Sequence, residues 1–294
     1  MTPELAQRLD LLDERLASLG SVVVAFSGGA DSAFLLAAAV RSLGADRVVA
    51  ATSTADSLAT GEWEAAHRFA LGLGVEHIAV ATDEMDRPGY RANGADRCYH
   101  CKASLGDELS GMAARRGLRH VAVGTNADDL AEPHRPGLRA SAERGIVTPL
   151  ADVGLGKADV RAASRDWGLA TWDKPQAACL ASRIAYGVAV DPERLARIDR
   201  AEAAARTELR DAGLAVRNLR VRDLGEDARI EVDATLVDSV GGTRLVAVVV
   251  AAGFRSAEVD PRGFRSGSLN DDLSPTDLRP GRAAASSWDL PLVD

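Results

Sequence analysis

Apolar residues in the first part of the chain follow two spacings. Leucines at helical spacing predict an amphipathic helix over residues 3–19. The apolar run 22–26 predicts a buried strand, and the apolar segment 33–40 predicts a helix. Farther along, strands are predicted at 48–51, 75–81 and 120–123, helices at 61–71, 99–116 and 157–167, and a loop at 85–97. Strands that alternate with helices predict an α/β fold with a parallel sheet covered on both faces.

The pattern changes in the second half of the chain. A long helix is expected from Pro192 to about residue 212, because proline suits the first helical turn. Strands at 216–221, 228–232 and 256–259, with a helix ending near 252, then predict a smaller α+β domain. Single cores stop growing near roughly 250–300 residues, so a chain of 294 residues is expected to form two domains. We therefore divide it into 1–170, a junction loop 171–191, the α+β domain 192–268 and a polar tail 269–294.

Composition narrows the class of protein. A hydrophobic content of 46% and a charged content of 27% are typical of a globular chain. The net charge of −8 gives no support to a partner that is a nucleic acid, because nonspecific binding depends on many Lys and Arg contacts with phosphate. The amino-terminal segment lacks a targeting pattern and no apolar run approaches the roughly 20 residues of a membrane span, so we expect a cytoplasmic protein without a membrane partner.

A glycine turn joins the first strand to the second helix. Its sequence is Ser27-Gly28-Gly29-Ala30-Asp31-Ser32. Glycines let backbone N–H groups approach a phosphate, the serines add hydroxyl donors and the helix start adds partial positive charge. The motif is neither the G-x-x-x-x-G-K-[ST] loop nor G-x-G-x-x-G. It resembles the pyrophosphate loop of the ATP pyrophosphatase superfamily, which implies ATP at Ser27, Gly28, Gly29, Asp31 and Ser32; the alternative is a plain turn.

Two more segments fall at the carboxyl ends of predicted strands, where ligands of parallel sheets bind. Thr52 follows the second strand, and Gly124 begins a segment that contains Asn126 and Asp129. We predict that these residues contribute to the ATP site and that Asp129 or its neighbour Asp128 binds Mg²⁺, a hard cation that prefers oxygen ligands. The alternative is local, because Asn and Asp also cap helices and favour turns.

The three cysteines fit a reducing compartment. Cys98 and Cys101 form a C-x-x-C at a predicted helix start, where the helix dipole is expected to lower a thiol pKa, and Cys179 lies in the junction loop. Several interpretations stay open: unconnected thiols, a disulfide between Cys98 and Cys101, a zinc site completed by His100 or His134, or three ligands of a [4Fe-4S] cluster. Ser182 and Arg183 lie close to Cys179 in the sequence of the junction loop. The positive charge of Arg183 is expected to stabilise the thiolate of Cys179.

Together these motifs resemble the LarE family of ATP-dependent sulfur transferases, which act in the biosynthesis of the nickel-pincer nucleotide cofactor. The similar stretches are 27–32, 97–102, 124–129, 178–184 and 260–267. The resemblance implies a fold of the adenine nucleotide alpha hydrolase type and adenylylation of a carboxylate of pyridinium-3,5-biscarboxylic acid mononucleotide, followed by conversion to a thiocarboxylate. It also implies a homo-oligomer. Of its two branches, one sacrifices the sulfur at the position of Cys179, and the other uses three cysteines and a [4Fe-4S] cluster that holds sulfide; the three cysteines resemble the second.

The acceptor that the family uses carries a phosphate, which calls for guanidinium groups. Arg220 and Arg222 alternate on one face of a predicted strand, and Arg262 and Arg265 flank a glycine turn. We predict that Arg220, Arg222 and one of the other two bind this phosphate. For each arginine alone, a solvated surface charge is the alternative.

Two other classes of function compete with sulfur transfer. The first is another ATP pyrophosphatase, either an amide ligase similar to NAD or GMP synthetase or a tRNA thiolase. A ligase has no use for the cysteines, and a tRNA thiolase is expected to carry a basic surface that this acidic chain lacks. The second is a protein that binds a nucleotide or a cluster without turnover. Release of pyrophosphate separates these classes.

Overall fold

Two sheets organise the computed structural model, which describes residues 2–132, 135–175 and 178–269. The first is parallel and has the order β3-β2-β1-β4. Its strands are β1 (Val22–Ala25), β2 (Val48–Ser53), β3 (Glu76–Val80) and β4 (His120–Val123). The helices of this part are α1 (Pro3–Leu19), α2 (Ala30–Leu43), α3 (Glu62–Gly72), α4 (Pro88–Arg91), α5 (Arg97–Arg116), α6 (Ala127–Ala131), α7 (Pro136–Ala142), α8 (Pro149–Asp152) and α9 (Lys157–Asp166). The predicted α/β fold is confirmed.

Helices cover both faces of the parallel sheet, because successive strand side chains point to opposite faces. Val22 and Val24 pack in one core with α1, α2 and α9, whereas Val23 packs in a second core with Leu109 and Met112 of α5. The leucine stripe of α1 is buried, and Thr2 caps its start by accepting a hydrogen bond from the N–H of Leu5 at 3.2 Å. Both predicted bounds of α1 are confirmed.

The second sheet is smaller and has the order β5-β6-β7. Its strands are β5 (Leu219–Asp223), β6 (Asp227–Val232) and β7 (Ser256–Val259), and it packs with α10 (Pro192–Asp211) and α11 (Leu245–Ala251). β5 begins later than the predicted residue 216. The reason is local, because the carboxylate of Asp233 accepts hydrogen bonds from the N–H groups of Arg217 and Asn218.

The junction loop is packed onto this second core. Leu180, Ala181 and Ile184 are buried with the side chains of α10 and β5, and Ile184 forms a bridge with Asp223. The predicted loop 85–97 differs in the structure, since Pro88 starts the short helix α4 within it. The short helices α6, α7 and α8 are not apparent from periodicity, because each is only one or two turns long.

Two sequence predictions concern the end of the described chain and membranes. Leu269, the first residue of the predicted polar tail, is buried, at 7% exposure. The rest of that predicted tail, 270–294, lies outside the described residues. None of the helices in the described part of the chain combines the length and apolar character needed to span a bilayer. The division into domains at 170, 191 and 268 stays a prediction.

Candidate active site

The glycine turn connects β1 to α2. Gly28 has a φ of +69°, in the left-handed region that favours glycine, and Gly29 is the N-cap of α2 without a side-chain cap. The hydroxyls of Ser27 and Ser32 lie 3.0 Å apart, and Ser32 Oγ donates to the carbonyl of Gly29 at 3.2 Å. Ser27 is exposed and Ser32 is buried. This geometry fits the predicted anion site, with N–H and hydroxyl donors on one turn.

The end of β4 lies directly against this turn. A Cβ at Gly124 would lie 2.8 Å from the backbone N of Ser32 and 2.9 Å from the carbonyl carbon of Asp31. Gly124 is therefore required for close approach of the two segments. After it, Asn126 and Asp129 form a capping box for α6, with each side chain accepting a hydrogen bond from the backbone N–H of the other at 3.2 Å.

Local capping, which the sequence analysis kept as an alternative, is therefore present at Asn126 and Asp129. Asp129 is also ion-paired with Arg135, and Asp128 accepts a hydrogen bond from the N–H of Lys157 at 2.7 Å. Thr52 is likewise engaged, because its hydroxyl donates to the carbonyl of Phe26 and lies 2.7 Å from His77 Nε2. The nucleotide-binding role of these residues stays a prediction.

Asp31 differs from these residues because one of its carboxylate oxygens is unsatisfied. Its Oδ1 atom is buried and accepts no hydrogen bond from any residue that the structure describes. Burial raises the pKa of Asp31, the charge of Asp129 adds to this, and Lys157 opposes it. Mg²⁺ in nucleotide sites is bound by one or two carboxylates together with phosphates. An orphaned carboxylate oxygen beside the glycine turn fits that ligand set.

Hydrogen bonds to the carbonyl of Cys179 fix its backbone within the junction loop. The side chain of Cys179 is exposed, and its carbonyl accepts hydrogen bonds from Ser182 Oγ at 2.7 Å and from Arg183 at 3.0 Å. Arg183 also pairs with Glu202 at 2.9 Å, and both side chains are nearly fully buried. The guanidinium of Arg183 is thus engaged by Glu202 and by backbone carbonyls, and its expected action on the thiolate stays a prediction.

The guanidinium of Arg97 interacts with the charges of Cys98 and Cys179. No sequence motif marked Arg97 for this position. Although burial lowers the pKa of Arg97, the charges of Cys98 and Cys179 raise it, and the net shift is upward. Its guanidinium donates to Asn93 Oδ1 at 2.5 Å and to the carbonyl of Ala181 at 2.9 Å. Asn93 is fully buried at a φ of +53°, and its amide donates to the carbonyls of Ile184, Ala185 and Val188 in the junction loop.

Cys101 lies close enough to Cys98 and Cys179 for their charges to affect its pKa. Cys98 is exposed and Cys101 is half-buried on the first turns of α5. Burial raises the pKa of Cys101 to about 12, and the charges of Cys179, Glu84 and Cys98 act in the same direction against Lys102. The predicted lowering at the helix start is therefore wrong for Cys101, because burial outweighs the helix dipole.

Cysteine side chains, once deprotonated, are the usual ligands of iron–sulfur clusters. Among residues 2–132, 135–175 and 178–269, however, no three or more His, Cys, Asp or Glu side chains are arranged to hold a metal ion. His100, offered for a zinc site, lies 3.3 Å from Asp96 and packs over Gly89, and His134 lies outside the described residues. The cluster and zinc interpretations remain predictions.

A cavity of about 140 Å³ lies between the junction loop and the second sheet. Its walls are formed by Arg97, Ala178, Ser182, Tyr186, Arg220, Arg222, Phe264, Ser266, Gly267, Ser268 and Leu269. Arg222 donates to Glu231 at 2.7 Å, to Ser268 Oγ at 3.0 Å and to the carbonyl of Ser182 at 3.1 Å. Ala178 and Ser182, which lie on either side of Cys179 in the chain, line the cavity, whereas Cys179 itself is not among the lining residues.

The predicted arginines divide into two groups. Arg220 and Arg222 line the cavity together, as their spacing on β5 predicts. Burial, followed by the charge of Arg183, lowers the pKa of Arg220 to about 10, so it stays charged at neutral pH. Arg262 pairs with Asp260 at 2.9 Å, and neither it nor Arg265 is among the lining residues. The third guanidinium of the cavity is that of Arg97, and phosphate binding by Arg262 or Arg265 stays a prediction.

The chain is thus an α/β protein with a glycine turn after the first strand of a parallel sheet, three cysteines and an arginine-lined cavity. No family model matches the chain. It is 32% identical over 276 residues to the pyridinium-3,5-bisthiocarboxylic acid mononucleotide synthase of Lactiplantibacillus plantarum, covering 93% of this chain and 98% of that protein. The chain belongs to the LarE family, that of this synthase.

Two uncharacterized proteins are also similar. One, from Synechocystis sp., is 37% identical over 274 residues, which is 92% of this chain and 99% of that protein. The other, from Methanocaldococcus jannaschii, is 33% identical over 144 residues, or 49% of this chain and 54% of that protein.

Proposed function

We propose that this chain is an ATP-dependent sulfur transferase that adenylylates a carboxylate of pyridinium-3,5-biscarboxylic acid mononucleotide and converts it into a thiocarboxylate. The similarity to the synthase from L. plantarum along nearly its whole length supports the substrate. The observation that carries the proposal is the position of the junction loop. Lys174 at one end of the loop contacts Gly28 of the glycine turn, and Ser182 lines the arginine-lined cavity.

In the first step, a carboxylate oxygen of the mononucleotide attacks the α-phosphorus of ATP. The bond between this phosphorus and the bridging oxygen of pyrophosphate breaks, and the carboxylate becomes a mixed anhydride with AMP. The N–H groups of Gly28 and Gly29 and the hydroxyls of Ser27 and Ser32 stabilise the charge on the phosphates. Asp31 would hold Mg²⁺, which neutralises charge on the phosphate oxygens when bound.

In the second step, sulfur attacks the activated carbonyl carbon and AMP leaves. Cys179 supplies this sulfur in one version, and elimination across its Cα–Cβ bond then releases the thiocarboxylate and leaves dehydroalanine. In the other version Cys98, Cys101 and Cys179 would hold a [4Fe-4S] cluster, which when bound would supply sulfide. Arg97, beside Cys98 and Cys179, is the guanidinium that opposes negative charge on either sulfur.

The phosphate of the mononucleotide is assigned to the arginine-lined cavity. Arg220, Arg222 and Arg97 present guanidinium groups there, and guanidinium groups bind phosphate in a bidentate manner. Ser266 and Ser268 add hydroxyl groups to the same wall. The acceptor carboxylate then lies near Cys179, because Ala178 is part of the wall.

The test is turnover with ATP, Mg²⁺ and the biscarboxylate mononucleotide under anaerobic conditions. We expect pyrophosphate release that depends on the mononucleotide, together with a thiocarboxylate product in the mass spectrum. Cys179→Ala is expected to release pyrophosphate without forming this product. Absence of pyrophosphate release by the wild-type protein contradicts the proposal.

The sulfur source is decided by two further measurements. If Cys179 is consumed, its peptide acquires the mass of dehydroalanine after one turnover. If a cluster supplies the sulfur, the anaerobically purified protein contains iron and acid-labile sulfide, Cys98→Ala loses both, and the mass of Cys179 is unchanged. Iron content at background level together with an intact Cys179 after turnover contradicts both versions.

A further inference from the structure

The glycine turn contains no cationic side chain of its own. Residues 27–32 consist of serine, glycine, alanine and aspartate. Loops that hold a triphosphate commonly include a lysine that reaches the outer phosphates, as in the G-x-x-x-x-G-K-[ST] motif. In this chain an ammonium group reaches the turn from elsewhere in the fold.

That group belongs to Lys174 of the junction loop. Its Nζ donates to the carbonyl of Gly28 at 3.1 Å and pairs with Glu62 Oε2 of α3 at 2.7 Å. A Cβ placed on Gly28 would lie 3.8 Å from Nζ, so the ammonium lies directly beside the backbone of the turn. Its side chain is 23% exposed and that of Glu62 is 27% exposed, which leaves the pair open to solvent on one side.

The backbone of Lys174 is fixed independently of its side chain. Its carbonyl accepts a hydrogen bond from Arg161 of α9 at 3.2 Å, and its N–H donates to the carbonyl of Thr171 at 3.1 Å. Rotation of the side chain alone can therefore carry Nζ from Glu62 to a ligand on the turn. A partly exposed ion pair in the folded protein is worth little, so exchange of Glu62 for a phosphate oxygen is not costly.

We propose that Lys174 binds the β- and γ-phosphates of the nucleoside triphosphate on the glycine turn, with Glu62 as its counter-ion when no nucleotide is bound. The inference rests on the proposed function, since it requires ATP on residues 27–32. The lysine that other phosphate loops carry within the motif is thus supplied by the segment that leads to Cys179. Lys174 acts as a point charge, and it is a positioning residue for the pyrophosphate leaving group.

The test compares the affinity of purified full-length variants for ATP and for AMP by calorimetry with Mg²⁺. A charge-assisted hydrogen bond to a phosphate is worth a factor of roughly ten to one hundred in affinity, so Lys174→Met is expected to weaken ATP binding by that factor. Affinity for AMP is expected to be unchanged, because AMP lacks the β- and γ-phosphates. If Lys174 has a purely structural role, Lys174→Met is expected to lose affinity for ATP and for AMP to the same extent.

Two matched variants sharpen the result. Glu62→Gln removes the competing counter-ion and is expected to bind ATP at least as tightly as the wild type. Arg116→Ala breaks a comparable exposed ion pair with Glu76, away from the turn, and is expected to leave ATP affinity unchanged. If Lys174→Met does not fold, Lys174→Gln provides the same comparison, because it also removes the positive charge.

The outcomes separate this inference from the proposed function. ATP binding by Lys174→Met within twofold of the wild type, or an equal loss for ATP and AMP, overturns the assignment of Lys174 and leaves the proposed function standing. Failure of the wild type to bind ATP overturns both. A loss confined to ATP, with Glu62→Gln unimpaired, supports the assignment.

Discussion

The glycine turn and the arginine-lined cavity are built in opposite ways. The turn consists of consecutive residues, and its donors are mainly backbone N–H groups and serine hydroxyls. The walls of the cavity come from residues far apart in the chain, from Arg97 to Leu269. A site made of backbone needs only a local motif, whereas a site made of side chains needs the whole fold.

The two regions also treat buried charge differently. In and around the cavity, the buried carboxylates of Glu202 and Glu231 are each paired with an arginine. At the turn, Asp31 has a buried oxygen with no partner in the described part of the chain. A buried polar atom without a hydrogen bond is costly, and such atoms are found where a ligand satisfies them. The carboxylates around the cavity are thus neutralised by arginines, whereas the turn leaves a carboxylate oxygen for a cation and the cavity leaves Arg222 Nε, also without a partner in the described residues, for an anion.

The largest expected effect follows loss of the buried ion pair between Arg183 and Glu202, which lies behind the cavity wall at Ser182 and Arg220. Arg183→Ala leaves the carboxylate of Glu202 buried without its cation, and removal of one partner of a buried pair costs about 3–5 kcal/mol. Urea denaturation measures this loss in the free energy of unfolding. Arg255→Ala, which breaks exposed pairs with Glu226 and Asp227, is the matched control and is expected to leave the free energy of unfolding nearly unchanged. Equal losses for the two variants would contradict the comparison.

Next in size is the contact of β4 with the glycine turn. Gly124→Ala places a methyl group 2.8 Å from the N of Ser32, and such overpacking costs about 1–3 kcal/mol. Displacement of the turn is also expected to weaken ATP binding. Gly72→Ala in α3 meets no atom within 4 Å and is expected to change stability by no more than about 1 kcal/mol. Normal ATP affinity in Gly124→Ala would show that this packing is not needed for the site.

A smaller effect is expected for Ser268 in the wall of the arginine-lined cavity. Ser268 Oγ donates to Glu231 at 2.6 Å and accepts from Arg222 at 3.0 Å. Ser268→Ala removes both hydrogen bonds and is expected to cost about 1–2 kcal/mol in urea denaturation. Affinity for the mononucleotide is expected to fall, while affinity for ATP is retained. Weakened binding of ATP by Ser268→Ala would contradict the assignment of the two ligands to separate regions.

The smallest effect concerns pH. Burial, with the charge of His67 acting in the same direction, lowers the pKa of His77 from 6.5 to about 4. The unfolded chain therefore binds a proton at His77 more readily than the folded chain does. The contribution of neutral His77 to the free energy of unfolding is full above pH 6.5 and is lost as the pH falls toward 4. His77→Gln is expected to lose less stability than the wild type between pH 7 and pH 5 in denaturant titrations. An identical loss would contradict this account of the pair next to Thr52.

Local patterns predicted most of the fold, because it is built from elements that the sequence marks locally. The leucine stripe of α1, the apolar runs of β1 and β4 and the proline in the first turn of α10 fall where these local patterns place them. The period of two also brought Arg220 and Arg222 to one cavity.

Residues that act over long distances could not be predicted in this way. Arg97 and Asn93 contact the junction loop, and their partners lie 84 to 95 positions farther along the chain. Lys174 lies 146 positions from Gly28. No local pattern encodes such pairings. The direction of the pKa shift of Cys101 was missed for the same reason, because burial depends on what the fold packs over the thiol.

The most direct test of the central claim is a crystal structure of this protein with Mg²⁺ and an ATP analogue that cannot be cleaved between the α- and β-phosphates. The account predicts phosphate oxygens on the N–H groups of Gly28 and Gly29 and on the hydroxyls of Ser27 and Ser32, with Mg²⁺ on Asp31. Phosphates bound instead in the arginine-lined cavity, or away from the glycine turn, would contradict it.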